Sequence, residues 1–382
     1  MRIAFDHQAF CLQRTGGVSR YFCELVSAML PTHQDVRIFA PLYRNVYLRD
    51  VPAANVQGYW IKDYPTYTAG LCTRIMGRLA SAAIERWQPD LIHETYYSNR
   101  PSSSKKTPAV LTVFDMISEL GLMGDQVSQG DLKQTSKFQA VQRADHVICI
   151  SQSTQRDLIR LFDVPASKTT VIHLGCDAVR AKPHDAPEPV AIPLSAQQAK
   201  PYLLYVGLRG AYKNFSGLLE AYATSTRLAQ DFDLVAFGAG AFTHDEQTQI
   251  IALGLSLNQV RQTAGTDESL VNLYRNAAVL VYPSRYEGFG LPPLEAMAQG
   301  CPVVSSRTSS MPEVIGEAAE YFDPDNVDDM SVAIEYVVYS SERREELISK
   351  GHVRSKMFDW TTCAAETMRL YQTIAMGSRS SR

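Results

Sequence analysis

The sequence predicts an α/β protein of two doubly wound domains, and three observations carry that prediction. Short apolar strand patterns alternate with helical patterns along 382 residues, a length at which one core gives way to two. The alternation breaks once, at 179–200, where Lys182-Pro183-His184-Asp185-Ala186-Pro187-Glu188-Pro189 offers proline and charge but little to bury, and it restarts at Tyr202. Glycine turns stand between strand and helix at Gly16-Gly17 and again around Gly288 and Gly290, positions where an open α/β sheet lets backbone approach a ligand. The boundaries that follow are a first domain over 1–178, a linker over 179–200 and a second domain over 201–359. A last helical pattern, about 360–376, precedes a tail expected to fray from Gly377.

In chain order, Arg2–Asp6 reads as a strand. After Gly16-Gly17 a helix begins near Val18, with Val18, Tyr21, Phe22, Leu25, Val26, Met29 and Leu30 recurring every three or four residues. Asp35–Ala40 is the next strand. Leu71, Ile75, Leu79, Ala82, Ala83 and Trp87 then form a helical face with Arg74, Arg78 and Arg86 interleaved; its apolar residues are expected against the sheet, and the alternative is a membrane surface. Leu91-Ile92-His93 and Ala109–Phe114 are buried-strand patterns, which places His93, Tyr96, Phe114 and Asp115 at or just past strand ends; a strand tip favours a role in the cleft for His93, the alternative being a satisfied core histidine. Val147–Ile150 and Thr170–Leu174 follow, with Ser151 capping the helix between them. Beyond the linker, Tyr202–Gly207 and Asp233–Gly238 are strands flanking a helix near Ser216–Thr226.

The most informative stretch is Ser284-Arg285-Tyr286-Glu287-Gly288-Phe289-Gly290-Leu291-Pro292-Pro293-Leu294-Glu295, entered from the apolar strand Val279–Tyr282. Gly288 and Gly290 permit a tight turn, and Pro292 and Pro293 suit the first turn of a helix. Glu287 is thus delivered into a glycine loop and Glu295 onto the helix that follows, beside a helix start whose dipole favours an anion. Two acids next to an anion site suit a ligand that is both charged and rich in hydroxyls, such as a nucleotide sugar. A cationic element, Arg209 and Lys213 in Gly207-Leu208-Arg209-Gly210-Ala211-Tyr212-Lys213-Asn214, follows the first strand of the second domain and can neutralise a diphosphate. Asp328-Asp329 reads as a helix start, and no Asp-x-Asp appears, so no metal is expected and cations of the protein carry that role.

The string from Glu287 through Gly288-Phe289-Gly290-Leu291-Pro292 to Glu295, with the Gly300-Cys301-Pro302-Val303-Val304 restart, resembles the E-x7-E signature of family 4 retaining glycosyltransferases, and the resemblance spans essentially the whole chain. It implies the GT-B fold, two Rossmann-like domains facing each other across a cleft, with the last helix returning to the first domain. It implies that Glu287 contacts hydroxyls of the transferred sugar and Glu295 the ribose. Ser284 and the stretch Gly288, Phe289, Gly290 and Leu291 would hold sugar and diphosphate together with Arg209 and Lys213, and Gly16-Gly17 would supply the glycine loop of the first domain. Asp115 would orient acceptor or sugar, with His93 and Tyr96 on the acceptor side. The departing phosphate would take the acceptor's proton, so no dedicated base and no cofactor is needed. This chain departs from the family where Phe114-Asp115 stands in place of His-Asp; an apolar ring near C6 of the sugar would favour a 6-deoxyhexose, the alternatives being that His93 fills the histidine's role or that Phe114 is a core residue. His93-Glu94-Thr95-Tyr96-Tyr97 and Asp115-Met116-Ile117 resemble enzymes of bacterial O-antigen assembly, which implies a GDP-mannose-type donor first, a UDP-hexose second, and a lipid-linked saccharide acceptor.

Composition narrows the alternatives. Apolar residues make up 45% and charged ones 20%, as in ordinary globular proteins. The net charge of −3, with 19 Lys and Arg against 16 Asp and Glu in residues 1–177, gives no nucleic-acid footprint but is compatible with an anionic membrane surface. No apolar run approaches a membrane span, an early charge argues against a signal peptide, and seven cysteines without a C-x-x-C pair point to a reducing, cytoplasmic setting. Rival readings are a nucleotide-sugar 2-epimerase, which alters donor alone, and a non-catalytic nucleotide-sugar binder, which turns nothing over. An NAD-dependent enzyme is disfavoured because no G-x-G-x-x-G follows an early strand.

Overall fold

The computed structural model describes residues 1–33, 35–64, 69–103, 107–124, 128–176 and 200–380; apart from Lys200, the expected linker lies outside them. The chain divides into two compact units: Met1–Glu119, Val127–Gly175 and Asp359–Arg382 form the first, and Leu120–Gln126 with Cys176–Phe358 form the second.

The first unit holds seven strands: β1 (Ile3–Phe5), β2 (Val36–Tyr43), β3 (Val56–Trp60), β4 (Leu91–Glu94), β5 (Ala109–Val113), β6 (His146–Cys149) and β7 (Thr169–Val171). They line up as β3-β2-β1-β4-β5-β6-β7, every pairing parallel, with Ile3 opposite Val36 on one side and Leu91 on the other. The second unit holds β8 (Tyr202–Val206), β9 (Asp233–Phe237), β10 (Val260–Thr263), β11 (Val279–Tyr282), β12 (Val303–Ser306) and β13 (Ala319–Phe322), in the order β10-β9-β8-β11-β12-β13, again all parallel. Parallel neighbours need helical crossovers, which cover both sheet faces, so central strands are buried and mostly apolar. All five residues of β8 and all four of β11 are buried. In each sheet the winding reverses once, between β1 and β4 and between β8 and β11, the point at which open α/β sheets place their ligand sites.

Three strands were not legible from pattern. β3, β10 and β13 are short and half exposed, so they lack a continuous apolar run. Gly58 lets β3 close on the irregular middle of β2, because a Cβ there would lie 1.7 Å from the Ala40 carbonyl oxygen. The helix Ala69–Trp87 is rotated from its expected setting: Met76, Ala80 and Ile84 face the core, the last two against Ala4, Phe39 and Ile92, while Ile75 and Leu79 point outward.

The final helix runs Trp360–Ser380, continuing past the expected frayed end, and packs on Gly17–Met29 within the first unit. Trp360 meets Tyr21 at 5.8 Å, and the Tyr371 hydroxyl is hydrogen-bonded to His93 Nδ1.

Candidate active site

At the reversal point of the second sheet, β8 leads through Gly207 into a short 3-10 turn, Ala211–Lys213, and β11 leads through Pro283 into Ser284–Glu287. One backbone bond ties these exits together, the Arg285 amide donating to the Tyr212 carbonyl at 2.7 Å. Asn214, in the left-handed region at φ 55°, ends the turn and donates through Nδ2 to the Pro324 carbonyl at 2.8 Å. Lys213 thereby reaches Glu287, its Nζ lying 2.6 Å from Glu287 Oε1. Both side chains are largely buried, at 15% and 9% exposure. The rings of Tyr212 and Tyr282 lie 5.4 and 5.7 Å from Nζ. Burial, and then the neighbouring Glu287, push the Tyr282 phenol far above its ordinary range, so it stays a neutral hydroxyl beside the carboxylate.

Two serines shape the loop after Glu287. Ser309 Oγ accepts from the Glu287 amide at 2.8 Å, and Ser310 Oγ donates to the Glu287 and Phe289 carbonyls at 2.8 and 3.0 Å. Gly290 adopts φ 104°, and a Cβ there would strike Met311 Cε at 2.5 Å, so only glycine fits. The helix Leu291–Ala298 begins with no side-chain cap. Because Pro292 and Pro293 lack N–H groups, Leu291 supplies its first-turn donor; the amides of Gly290 and Leu291 have no acceptor among the described residues. Ser284 Oγ is likewise buried without a hydrogen-bond partner. Phe289 turns inward, edge-on to Phe358 at 5.6 Å, so it contributes backbone rather than a side chain. On the helix, Glu295 Oε2 accepts from the Tyr274 hydroxyl at 3.1 Å.

The structure therefore gathers Lys213, Glu287, Ser284, Gly288, Gly290 and Leu291 at one strand reversal. It does not offer Arg209 there. The Arg209 guanidinium donates from Nε to Glu246 Oε1 at 2.7 Å, from Nη1 to the Gly238 carbonyl at 3.0 Å, and from Nη2 to the Gly240 and Ala241 carbonyls at 3.0 Å. Its side chain is only 4% exposed, with Phe242 4.9 Å beneath the plane. A planar fork suits carbonyls as well as phosphates, and here it clamps the loop after β9.

In the first unit the expected acceptor-side histidine is a core residue. His93 is fully buried, with Nε2 bonded to Thr112 Oγ1 at 2.9 Å, Nδ1 to Tyr371, and Phe5 and Phe22 against its ring. Burial pulls its pKa down to about 3, so it is neutral and joins the last helix to the sheet. The strand-tip argument failed because the last helix covers that tip. Phe114 is half-buried, edge-to-face with Tyr21 at 5.2 Å and Phe22 at 6.1 Å. Asp115 and Tyr96 are partly exposed just past β5 and β4, with Lys137 Nζ 3.8 Å from Asp115 Oδ1. Gly16 caps the helix Gly17–Met29, and a Cβ on it would strike the Gln13 side chain, whose Oε1 accepts from the Ser19 amide at 3.0 Å; a Cβ on Gly17 would meet nothing.

Sequence reasoning missed the buried polar network at the first unit's own reversal point. Asp6 Oδ1 accepts from the Thr95 amide at 2.9 Å and from its hydroxyl, and Oδ2 accepts from Gln8 at 2.6 Å and from Ser102. Glu94 accepts from Arg143 at 2.7 Å and the Ser102 amide at 2.9 Å. The strand-end rule applied to the first strand would have found Asp6.

Two units, each a parallel sheet with a single reversal, define the architecture of GT-B glycosyltransferases. The fold is shared with sucrose-phosphate synthase from Thermosynechococcus elongatus, at TM-score 0.73 and 18% identity over 99% of this chain and 100% of that one. It is shared too with Anabaena HepE solved with UDP and glucose, at TM-score 0.71 and 19% identity over 98% and 100%. By sequence, residues 15–180 match the model of Glycosyltransferase Family 4 and residues 192–354 that of Glycosyl transferases group 1. The chain belongs to the family 4 glycosyltransferases. Among curated relatives, O-antigen chain mannosyltransferase B of Escherichia coli is 33% identical over 63% of this chain and 64% of its own length. Serotype-specific mannosyltransferase WbdA of Escherichia coli is 30% identical over 60% of this chain but only 29% of its own. The MMP alpha-(1->4)-mannosyltransferase of Mycolicibacterium hassiacum is 30% identical over 59% and 53%. The matches thus span less than two thirds of these relatives.

Proposed function

We propose that the protein transfers a mannosyl residue from GDP-mannose, with retention and without a metal, to a lipid-linked saccharide during O-antigen-type polysaccharide assembly. The observation that carries this reading is the Lys213–Glu287 pair at the reversal of the second sheet, beside the unengaged amides of Gly290 and Leu291. In this scheme Lys213 and those amides neutralise the diphosphate as it leaves, the task that falls to protein cations and dipoles. Glu287, held against the Tyr282 hydroxyl, takes hydroxyls of the sugar, and Glu295 takes the ribose. Tyr96 and Asp115 of the first unit face the acceptor. The departing phosphate oxygen accepts the acceptor's proton. The mannosyltransferase relatives support the choice of sugar, and their O-antigen setting supports the acceptor class.

A thermal-shift screen of GDP-mannose, a GDP-6-deoxyhexose, UDP-glucose and dTDP-glucose tests the donor, because a ligand at 100 times its Kd stabilises by roughly 2.7 kcal/mol. A shift with GDP-mannose, followed by EDTA-resistant transfer with retained anomeric configuration, is the expected result. A shift confined to UDP-sugars replaces the donor. Loss of activity in EDTA that Mn²⁺ restores overturns metal independence.

A further inference from the structure

Lysine and arginine are seldom buried unless paired, yet the helix Ser136–Arg143 turns one of each inward, at the exits of two neighbouring strands, β4 and β5. Lys137 is 10% exposed and Arg143 23%. Each makes the same two kinds of contact, one carboxylate and one loop carbonyl. Lys137 Nζ donates to Glu119 Oε2 at 2.6 Å and to the Asp115 carbonyl at 3.0 Å. Arg143 donates from Nη2 to Glu94 Oε2 at 2.7 Å and from Nη1 to the Ser98 carbonyl at 3.0 Å. Ion pairing alone would hold the helix to the strand exits; the carbonyls are what hold the loops. A residue past the end of a strand has no ladder to fix it, and its backbone groups need other partners. Thr95, tied to Asp6, and Ser98, tied to Arg143, bracket Tyr96. Asp115 is held by its own carbonyl and by Oδ1, which accepts from the Ile117 amide at 3.1 Å. The Phe114 amide joins the two exits by donating to the Tyr97 hydroxyl at 3.4 Å, and the Tyr97 ring lies between Lys137 Nζ at 5.1 Å and the Tyr96 ring at 4.8 Å. Burial, and then the nearby Asp115 carboxylate, push the Tyr96 phenol up, so it stays a neutral hydroxyl beside that carboxylate. Asp115 Oδ2 and the Tyr96 hydroxyl are left without a hydrogen-bond partner among the described residues.

We propose that Lys137 and Arg143 are positioning residues of the acceptor side: through the Asp115 and Ser98 carbonyls they fix the free oxygen of Asp115 and the ring and hydroxyl of Tyr96 in one arrangement that a saccharide can meet. This rests on the proposed reading of Tyr96 and Asp115 as the acceptor's contacts. Neither cation need touch the substrate. Both belong to the first unit, whereas Lys213 and Glu287 belong to the second, so their loss should be felt by the acceptor and not by the donor.

The test is steady-state transfer by the full chain from GDP-mannose to octyl α-mannoside, with kinetics taken against each substrate in turn. Lys137→Met alone would strand Glu119 as a buried, unpaired carboxylate and risk the fold, so it is made together with Glu119→Gln; Arg143→Met is likewise paired with Glu94→Gln. These two double variants leave no charge unpaired, yet they lose the grip on the carbonyls. Each should fold and should lower kcat/KM for the acceptor by ~10²-fold, the usual cost of a misplacement of about 1 Å. The KM for GDP-mannose and the rise in melting temperature that it produces should stay at the wild-type values. A residue that acts through another has nothing left to act on once that other is gone. Lys137→Met/Glu119→Gln should therefore cost nothing more in an Asp115→Ala background, and Arg143→Met/Glu94→Gln nothing more in a Tyr96→Ala background. The same fractional loss in those backgrounds, an equal rise in the donor KM, or unchanged acceptor kinetics in both double variants overturns the proposal. If Asp115→Ala and Tyr96→Ala themselves leave transfer unchanged, or the wild type does not use this acceptor, the acceptor reading fails and the inference falls with it.

Discussion

Replacing Lys213 by alanine should affect folding as well as turnover. The structure pairs the lysine at 2.6 Å with a carboxylate that is only 9% exposed. Lys213→Ala leaves Glu287 with the Tyr282 hydroxyl and no cation, and an under-satisfied buried polar group costs ~1–3 kcal/mol. For a unit of this size that lowers the melting temperature by roughly 2–4 °C per kcal/mol. Removing one preorganised charge contact should in addition slow transfer by ~10²–10³. The two effects separate in a double-mutant cycle. Lys213→Met and Glu287→Gln each destabilise, whereas the double variant regains stability because no buried charge is left unpaired, yet it remains inactive. Melting curves and initial transfer rates on all four proteins read this directly. Additive losses of stability would show that the pair does not form in solution, and near-wild-type turnover in Lys213→Ala would remove the lysine from the leaving-group role.

Three further outcomes are expected. Glu246→Gln should destabilise the second unit by loosening the Arg209 clamp; because that clamp lowers the Glu246 pKa, the difference from wild type should be full above pH 4.5 and shrink as pH falls through the lowered value, as acid unfolding curves would show. His93→Gln should flatten the acid side of the stability profile: with the folded pKa near 3 and the ordinary value 6.5, the unfolded chain binds the extra proton between them, so wild-type stability is full above 6.5 and falls toward 3. Phe114→His, tested by competition between GDP-mannose and GDP-D-rhamnose, should leave the ratio unchanged, since the ring is engaged with Tyr21 and Phe22; a shift toward mannose of about 5- to 150-fold would instead give Phe114 the role of selecting a 6-deoxy sugar.

What the sequence by itself determined is what local chemistry decides. Alternating strand and helix patterns specify two parallel sheets, because strands buried on both faces must be continuously apolar, as Tyr202–Val206 and Val279–Tyr282 are. The Gly288–Pro293 string announces its turn and helix start through backbone requirements that no other residues meet as well, so Glu287, Lys213 and Leu291 were identifiable as candidates before any coordinates. Only the tertiary structure decided which side chains are offered to a ligand. Arg209 and Lys213 are alike in sequence, yet one is drawn into carbonyls brought from β9 and Glu246 beyond it, partners 29 to 37 residues away. His93 lost its place at a strand tip to Tyr371, 278 residues further on, because the last helix folds over that tip. The helix Ala69–Trp87 chose Met76, Ala80 and Ile84 for its inner face, since a periodicity of 3.6 leaves neighbouring stripes nearly equal and the shape of the sheet beneath it breaks the tie.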